Sequence, residues 1–307
     1  MKAAVFYGKH DLRIENIPVP PVGSQDVLIR VHACGICGTD VHIFHGDEGA
    51  AQTPSGTVLG HEFAGEVLEV GKDVTAVRPG DRVCVDPNQL CGGCEYCLGG
   101  IGHFCENMTG IGTTVHGGFA EYCVVAASQA YRFSDKISYD AAAMTEPVSC
   151  CLHGIDLCEI QCGSTVAVIG CGMIGLIMLQ LAKLRGAARL IAVEPVAEKR
   201  QQALGLGADM ALDPREDWEK ALKDAGVTRI DTVIECAGRT DTMEMAIRMA
   251  GNKSLVMLFG LTAPNDTISV KPFEIFKKEI TLRASFINPY TFERAKALIG
   301  SGTIEVT

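Results

Sequence analysis

Cys91-Gly92-Gly93-Cys94-Glu95-Tyr96-Cys97, with Cys105 eight residues further on, sets four thiols at the spacing of a metal site. Two residues between successive cysteines let a tight turn aim both sulfurs at one point, and the fourth returns after a short excursion. Gly92 and Gly93 relieve the backbone there. Four thiolates close a tetrahedron around zinc and leave no position for a substrate, so such a site is structural. The plain alternative is a group of buried free thiols. A redox Cys-x-x-Cys is weaker still, because two overlapping pairs lie in a loop and not at a helix start.

A second group could do chemistry. Gly35-Ile36-Cys37-Gly38-Thr39-Asp40-Val41-His42, Gly60-His61-Glu62 and Thr145-Glu146-Pro147 contain further ligand types. A catalytic zinc keeps one position open for water or substrate. Cys37 and His61 offer soft ligands; Glu62 or Glu146 can add an oxygen. Singly, each has a blander reading: Cys37 as core, His61 as a satisfied turn histidine, Glu62 as a solvated acid.

Gly170-Cys171-Gly172-Met173-Ile174-Gly175 follows the apolar run Val166 to Ile169 and opens a helical pattern. That context is what a dinucleotide fingerprint requires. Gly170 permits the tight turn, Gly172 lets a pyrophosphate approach the backbone, and Gly175 lets the helix pack on the strand. The pyrophosphate would lie at the helix N-terminus, where free N–H groups favour anions. Glu194 ends the next strand, nineteen residues after Gly175. A carboxylate there accepts from ribose hydroxyls and repels a 2′-phosphate, which favours NAD over NADP. Lys199 and Arg200 sit a helical turn further on, where a solvated face is the simpler reading. Arg200 is kept with Met173 and Ile174 in the candidate nucleotide set.

Two kinds of element must position these groups. Residues 1 to about 150 carry short alternating runs, Asp26–Val31, Gly65–Val70 and Asp81–Val85, broken by turns such as Pro79-Gly80-Asp81; this is all-β texture. From about Gly163 the runs become continuous and alternate with helical patterns. Thr165–Ile169, Arg189–Val193, Ile230–Ile234 and Leu255–Phe259 read as strands. Ile174–Leu184, Ala197–Leu206 and Thr240–Met249 read as helices. Strands covered on both faces and alternating with helices mean a parallel, doubly wound α/β sheet.

Composition sets the outer bounds. The chain has 307 residues, room for two domains, with 47% hydrophobic and 21% charged residues, which argues against disorder. A formal net charge of −10 disfavours nucleic-acid phosphates, and no basic stripe offsets it. No apolar run approaches a membrane span, and the N-terminus lacks a signal-peptide core, so a cytoplasmic location is expected. In such a compartment fourteen cysteines point to metal or catalysis more than to disulfides. Scattered Cys84, Cys123, Cys158 and Cys236 read as small buried hydrophobes.

Taken together, these motifs resemble the zinc-containing medium-chain alcohol dehydrogenase family, nearest its sorbitol/polyol and threonine dehydrogenase branch. The resemblance runs along the whole chain. It is carried by Gly35 to His42, Gly60-His-Glu62, Pro79-Gly-Asp-Arg-Val83, the four cysteines, Gly117-Gly-Phe-Ala-Glu-Tyr122, Glu146-Pro147 and Gly170 to Gly175. It implies a GroES-like β-barrel catalytic domain over residues 1–150 and a Rossmann NAD-binding domain over 151–285. Residues 286–307 would be a segment returning toward the catalytic domain, one that looks truncated beside family members that continue for some tens of residues.

The resemblance also assigns roles. Cys37, His61 and Glu62 would hold a catalytic zinc, with Glu146 standing where classical alcohol dehydrogenases carry a cysteine and where the sorbitol branch has a glutamate. Thr39 would contact the substrate oxygen, His42 would relay its proton, and Asp40 would brace the ligand shell. Two zinc ions per chain, NAD+/NADH and a homodimer or homotetramer are implied. Two positions depart from sorbitol dehydrogenases: Ile43 replaces a tyrosine, and Ser285 stands where an arginine precedes the segment matching Phe286-Ile-Asn288. The expected reaction is hydride transfer between a secondary alcohol or polyol and NAD, with L-threonine and butanediol as alternative substrates. A zinc-less quinone or enoyl reductase and a non-catalytic NAD-binding zinc protein are the competing classes.

Overall fold

A computed structural model describes residues 1–47 and 52–306. They group into two compact units, Met1–Ser149 with Asn288–Thr307, and Cys150–Ile287.

The first unit is built from strands β1 (Lys2–Gly8), β2 (Asp11–Asn16), β3 (Asp26–Gly35), β4 (Thr57–Val58), β5 (Glu62–Val70), β6 (Arg82–Val85), β7 (Asn88–Gln89), β8 (Thr109–Gly110), β9 (Tyr122–Ala126) and β10 (Ala130–Arg132). Its helices are α1 (Gly38–His45), α2 (Glu95–Leu98), α3 (Tyr139–Ala143), the start of α4 (Thr145–Leu157) and, in the C-terminal segment, a helix over Phe292–Gly300. The main sheet runs β10-β6-β5-β3-β9, all antiparallel; β2-β1-β4 and β7-β8 form smaller sheets. The alternation read from Asp26 onward has its cause in one buried face: Val27, Ile29, Phe63, Val67, Val83, Val85 and Val125 share a single core.

The second unit holds β11 (Thr165–Ile169), α5 (Met173–Leu184), β12 (Arg189–Val193), α6 (Ala197–Gly205), β13 (Met210–Leu212), β14 (Thr232–Glu235), β15 (Leu255–Leu258) and β16 (Thr281–Ala284). The strands form one parallel sheet in the order β13-β12-β11-β14-β15-β16. β11 lies at the reversal of strand order, where open parallel sheets bind ligands beyond their carboxyl ends. Val166 to Ile169 are buried without alternation, as a strand covered on both faces requires. Several boundaries differ from the sequence pattern, by one residue at Ile174, Leu206 and Phe259 and by more elsewhere. The run Ile230–Ile234 enters the named strand only at Thr232; just before it the Asp231 carboxylate accepts the Thr165 N–H at 2.8 Å, and the Asp231 backbone bonds to Thr165 and Leu255 on either side. Among the described residues no helix is long and apolar enough to cross a membrane.

Candidate functional site

The four-cysteine loop hangs from the β7–β8 hairpin stem, with α2 and a turn at Gly102–Phe104 between its ends. The sulfurs of Cys91, Cys94, Cys97 and Cys105 all lie within 4.8 Å of one another. Thiolates about 2.3 Å from a tetrahedral zinc stand roughly 3.8 Å apart, so the set fits that ion. Crowding separates the thiols electrostatically. The N–H groups of Gly93 and Cys94, with the Cys105 thiol, pull Cys91 down to about 6, whereas burial pushes Cys97 up to about 12.

The second cluster is made by strand pairing. β3 and β5 run antiparallel with Gly35 opposite Glu62, so the chain leaving β3 meets the chain entering β5. A Cβ on Gly35 would sit 2.2 Å from Glu62 Oε2; the carboxylate occupies the room that glycine leaves. Cys37 is the N-cap of α1, and its backbone N–H donates to Asp40 Oδ2 at 2.8 Å. Ligand atoms of Cys37, His61 and Glu62 lie within 4.8 Å of one another. Thiolate, imidazole and carboxylate fit a zinc site with a position to spare.

His61 is buried, which alone would disfavour its charged form. The Asp40 carboxylate, the Cys37 sulfur and the Glu146 charge outweigh that, and the imidazole is held well above the usual histidine range. Burial raises Glu62 against the opposing pull of His61 and Cys37. Three ligand candidates thus converge. Glu146 is buried on the first turn of α4 and acts on His61 electrostatically, but it stands outside the 4.8 Å cluster.

Thr39 Oγ1 lies 3.7 Å from Cys37 Sγ. His42 is one helical turn further along α1, and its Nδ1 is 3.2 Å from Asp47 Oδ2. Asp47 was not legible as a partner: the chain reverses at Gly46, a left-handed C-cap, which brings a residue five positions on back to the histidine.

In the second unit the glycine motif joins β11 to α5. Gly170 has φ 87°, and a Cβ on Gly175 would lie 1.8 Å from the Gly170 carbonyl oxygen, so turn and close packing both exclude a side chain. A Cβ on Gly172 would meet nothing within 4 Å. No neighbour in the chain demands glycine there, as a cradle for a nucleotide pyrophosphate would. Met173 is exposed and Ile174 half-buried at the start of α5. Glu194 is buried at the end of β12; its Oε2 accepts the Cys171 N–H at 2.8 Å and its Oε1 the Val196 N–H at 3.0 Å. Each oxygen keeps a lone pair for a ribose hydroxyl. Lys199 is exposed, but Arg200 is engaged: its guanidinium donates to the Glu194 carbonyl at 2.7 Å and to Asp213 Oδ2 at 3.2 Å.

A further set of polar groups, half-buried Asp86 and Asn88 with buried Ser149 and Asn288, is hydrogen-bonded beside α4. It escaped sequence reasoning because its members are up to 202 residues apart and of types found throughout the chain.

Residues 23–135 match the family model of the alcohol dehydrogenase GroES-like domain, and residues 174–301 that of the zinc-binding dehydrogenases. The chain is 32% identical to a sorbitol dehydrogenase of Bombyx mori, over 98% of this chain and 88% of that protein. It is 33% identical to an L-threonine 3-dehydrogenase of Caldanaerobacter subterraneus, over 97% and 87%. A putative zinc-binding dehydrogenase from Sinorhizobium meliloti, solved with NADP bound, superposes with a TM-score of 0.94 at 39% identity, covering 99% of this chain and 89% of that one. The chain belongs to the zinc-dependent medium-chain alcohol and polyol dehydrogenase family, which are oxidoreductases. The chain combines a GroES-like domain with a parallel-sheet Rossmann domain, the fold class that the resemblance implies.

Proposed function

We propose that this protein is an NAD-dependent dehydrogenase that oxidises a secondary alcohol or polyol to a ketone, using one zinc at Cys37, His61 and Glu62 with Glu146, and a second at the four cysteines. The observation that carries this reading is the convergence of thiolate, imidazole and carboxylate within 4.8 Å beside Thr39, in a chain of this family. In this reading residues 1–150 form the catalytic domain, 151–285 the coenzyme domain, and 286–307 return to the catalytic domain. The division of the compact units at Ser149 and Ile287 supports it. Cytoplasmic location and a homodimer or homotetramer belong to the same proposal.

Bound zinc supplies Lewis acidity that lowers the pKa of an alcohol, and the nicotinamide supplies a hydride acceptor. The chain's own groups do the rest. The Thr39 hydroxyl orients the substrate oxygen and receives its proton. His42 carries the proton on and passes it toward Asp47 Oδ2. Asp40 fixes the start of α1 through the Cys37 N–H and faces His61. Gly170 to Gly175, with Met173 and Ile174, cradle the pyrophosphate, and Glu194 holds the ribose hydroxyls and disfavours a 2′-phosphate. Arg200 supports this end through the Glu194 carbonyl.

An NAD-reduction screen over polyols, L-threonine, butanediol and short secondary alcohols tests the reading, with NADP run in parallel. Reduction of NAD by at least one of these alcohols, abolished in Cys37→Ser, is the expected result. Full activity in Cys37→Ser overturns the mechanism. NAD binding without turnover on any alcohol favours the non-catalytic alternative.

A further inference from the structure

Asn288 is almost fully buried, and every polar atom of its side chain is used. Its Nδ2 donates to Ser149 Oγ at 2.8 Å and to Asp86 Oδ1 at 3.3 Å, while its Oδ1 accepts from Asn88 Nδ2 at 2.5 Å. Asn88 begins β7, the stem of the four-cysteine lobe, and its backbone N–H also donates to Asp86 Oδ1 at 3.1 Å. On the other side, Ser149 Oγ donates to the Glu146 carbonyl at 2.6 Å, and Thr291 Oγ1 donates to the Ser149 carbonyl at 2.7 Å. One asparagine therefore ties the lobe stem to the first turn of α4.

The segment that delivers it is held against its own preferences. Ile287 and Tyr290 have φ of 45° and 57°, the left-handed region that β-branched and bulky side chains resist. Such conformations persist where the surroundings over-determine them. Here the surroundings are visible: the Asn288 and Thr291 bonds, and the Tyr290 hydroxyl resting 2.6 Å from where a Cβ on Gly102 would stand, between Cys97 and Cys105.

We propose that Asn288 is a positioning residue for the zinc-centred reaction. Through Ser149 it sets the first turn of α4, and with it the aim of Glu146, relative to the four-cysteine lobe. The idea rests on the proposed role of Glu146 at the metal. A clamp of this kind matters because misplacing a catalytic group by about 1 Å can cost on the order of a hundredfold in rate.

The decisive comparison uses the holoenzyme with Co2+ exchanged into the Cys37–His61–Glu62 site, in Asn288→Ala, Asn288→Asp, Ser149→Ala and Glu146→Ala forms. Asn288→Ala is expected to lower kcat by about ten- to a hundredfold, to leave KM for NAD within about twofold, and to shift the visible cobalt bands. Asn288→Asp keeps the acceptor for Asn88 but loses both donors, so it should fall as far. Ser149→Ala, which removes one hydroxyl, should move the same readouts less and decides the matter if the asparagine variants fail to fold. Unchanged kcat and cobalt spectrum in the Asn288 and Ser149 variants, even with a lowered Tm, overturn the clamp. If Glu146→Ala also leaves both unchanged, the reading of Glu146 falls and the clamp's catalytic role falls with it. If Glu146→Ala changes both while Asn288→Ala and Ser149→Ala do not, the clamp alone is wrong.

Discussion

His61 Nδ1 and Asp40 Oδ1 face each other at 3.6 Å, both buried and neither hydrogen-bonded. The other oxygen of Asp40 is committed to the Cys37 N–H. One carboxylate thus stands behind two of the three candidate zinc ligands, and a small closure would give His61 the carboxylate partner that orients metal-binding histidines. Asp40→Ala is expected to weaken zinc at this site by about ten- to a hundredfold, the usual effect of losing such a partner, while the four-cysteine zinc stays. Chelator competition with metal counting checks it; two equally tight zinc ions in the variant would refute it.

His42 and Asp47 make the second pairing with a consequence for rate. If the histidine carries the proton away from Thr39, His42→Ala should lower kcat by about a hundredfold and added imidazole should restore part of it. Asp47→Asn should cost less, about tenfold at most, because water can receive the proton instead. Steady-state kinetics with and without imidazole distinguish a relay from a packing role, which imidazole would not rescue.

What could be read from the chain divides by range. The glycine motif, the run before it and the four-cysteine spacing are local, so turn geometry and strand burial write them directly into adjacent residues. The Cys37–His61–Glu62 cluster was visible as ligand types, but its assembly depends on the β3–β5 register that sets Gly35 opposite Glu62. Nothing in residue type announces that register. Asn288 lies beyond reach altogether: its partners Asp86 and Ser149 are 202 and 139 residues away, and no periodicity links them. Even the local pair His42–Asp47 was hidden, because a left-handed cap at Gly46 creates it.

Asp86 gives a pH dependence whose sign can be worked out. Burial raises its carboxyl to about 6, against the opposing bonds from the Asn88 N–H and the Asn288 amide, whereas the unfolded chain titrates near 3.8. Between those values the folded state holds the extra proton. Its stabilising contribution is therefore full below pH 3.8 and lost as pH rises through about 6. Asp86→Asn keeps an acceptor without the charge. It should be more stable than the parent at pH 7 by about 3 kcal/mol and should lose that advantage toward pH 4. Denaturant unfolding of both proteins at pH 4.5, 6 and 7.5 measures the difference; an advantage independent of pH would place the cause elsewhere.

In the proposed reading Glu194 sets the choice of nucleotide. Its carboxylate is buried, hydrogen-bonded to the glycine loop through Cys171 and to the following turn through Val196, and on the proposed reading these bonds would hold it against a 2′-phosphate. Burying a second anion against it would carry the cost of two unneutralised charges at close range. Arg200 does not offset this, because its guanidinium is already shared between Asp213 and the Glu194 carbonyl. The parent is accordingly expected to favour NAD over NADP by at least about a hundredfold in kcat/KM, and Glu194→Ala to lose most of that ratio, chiefly by losing NAD. The relative from Sinorhizobium meliloti solved with NADP makes the comparison pointed. Equal use of both nucleotides by the parent would show that Glu194 serves only to brace the loop, and the variant would then lose both cofactors together.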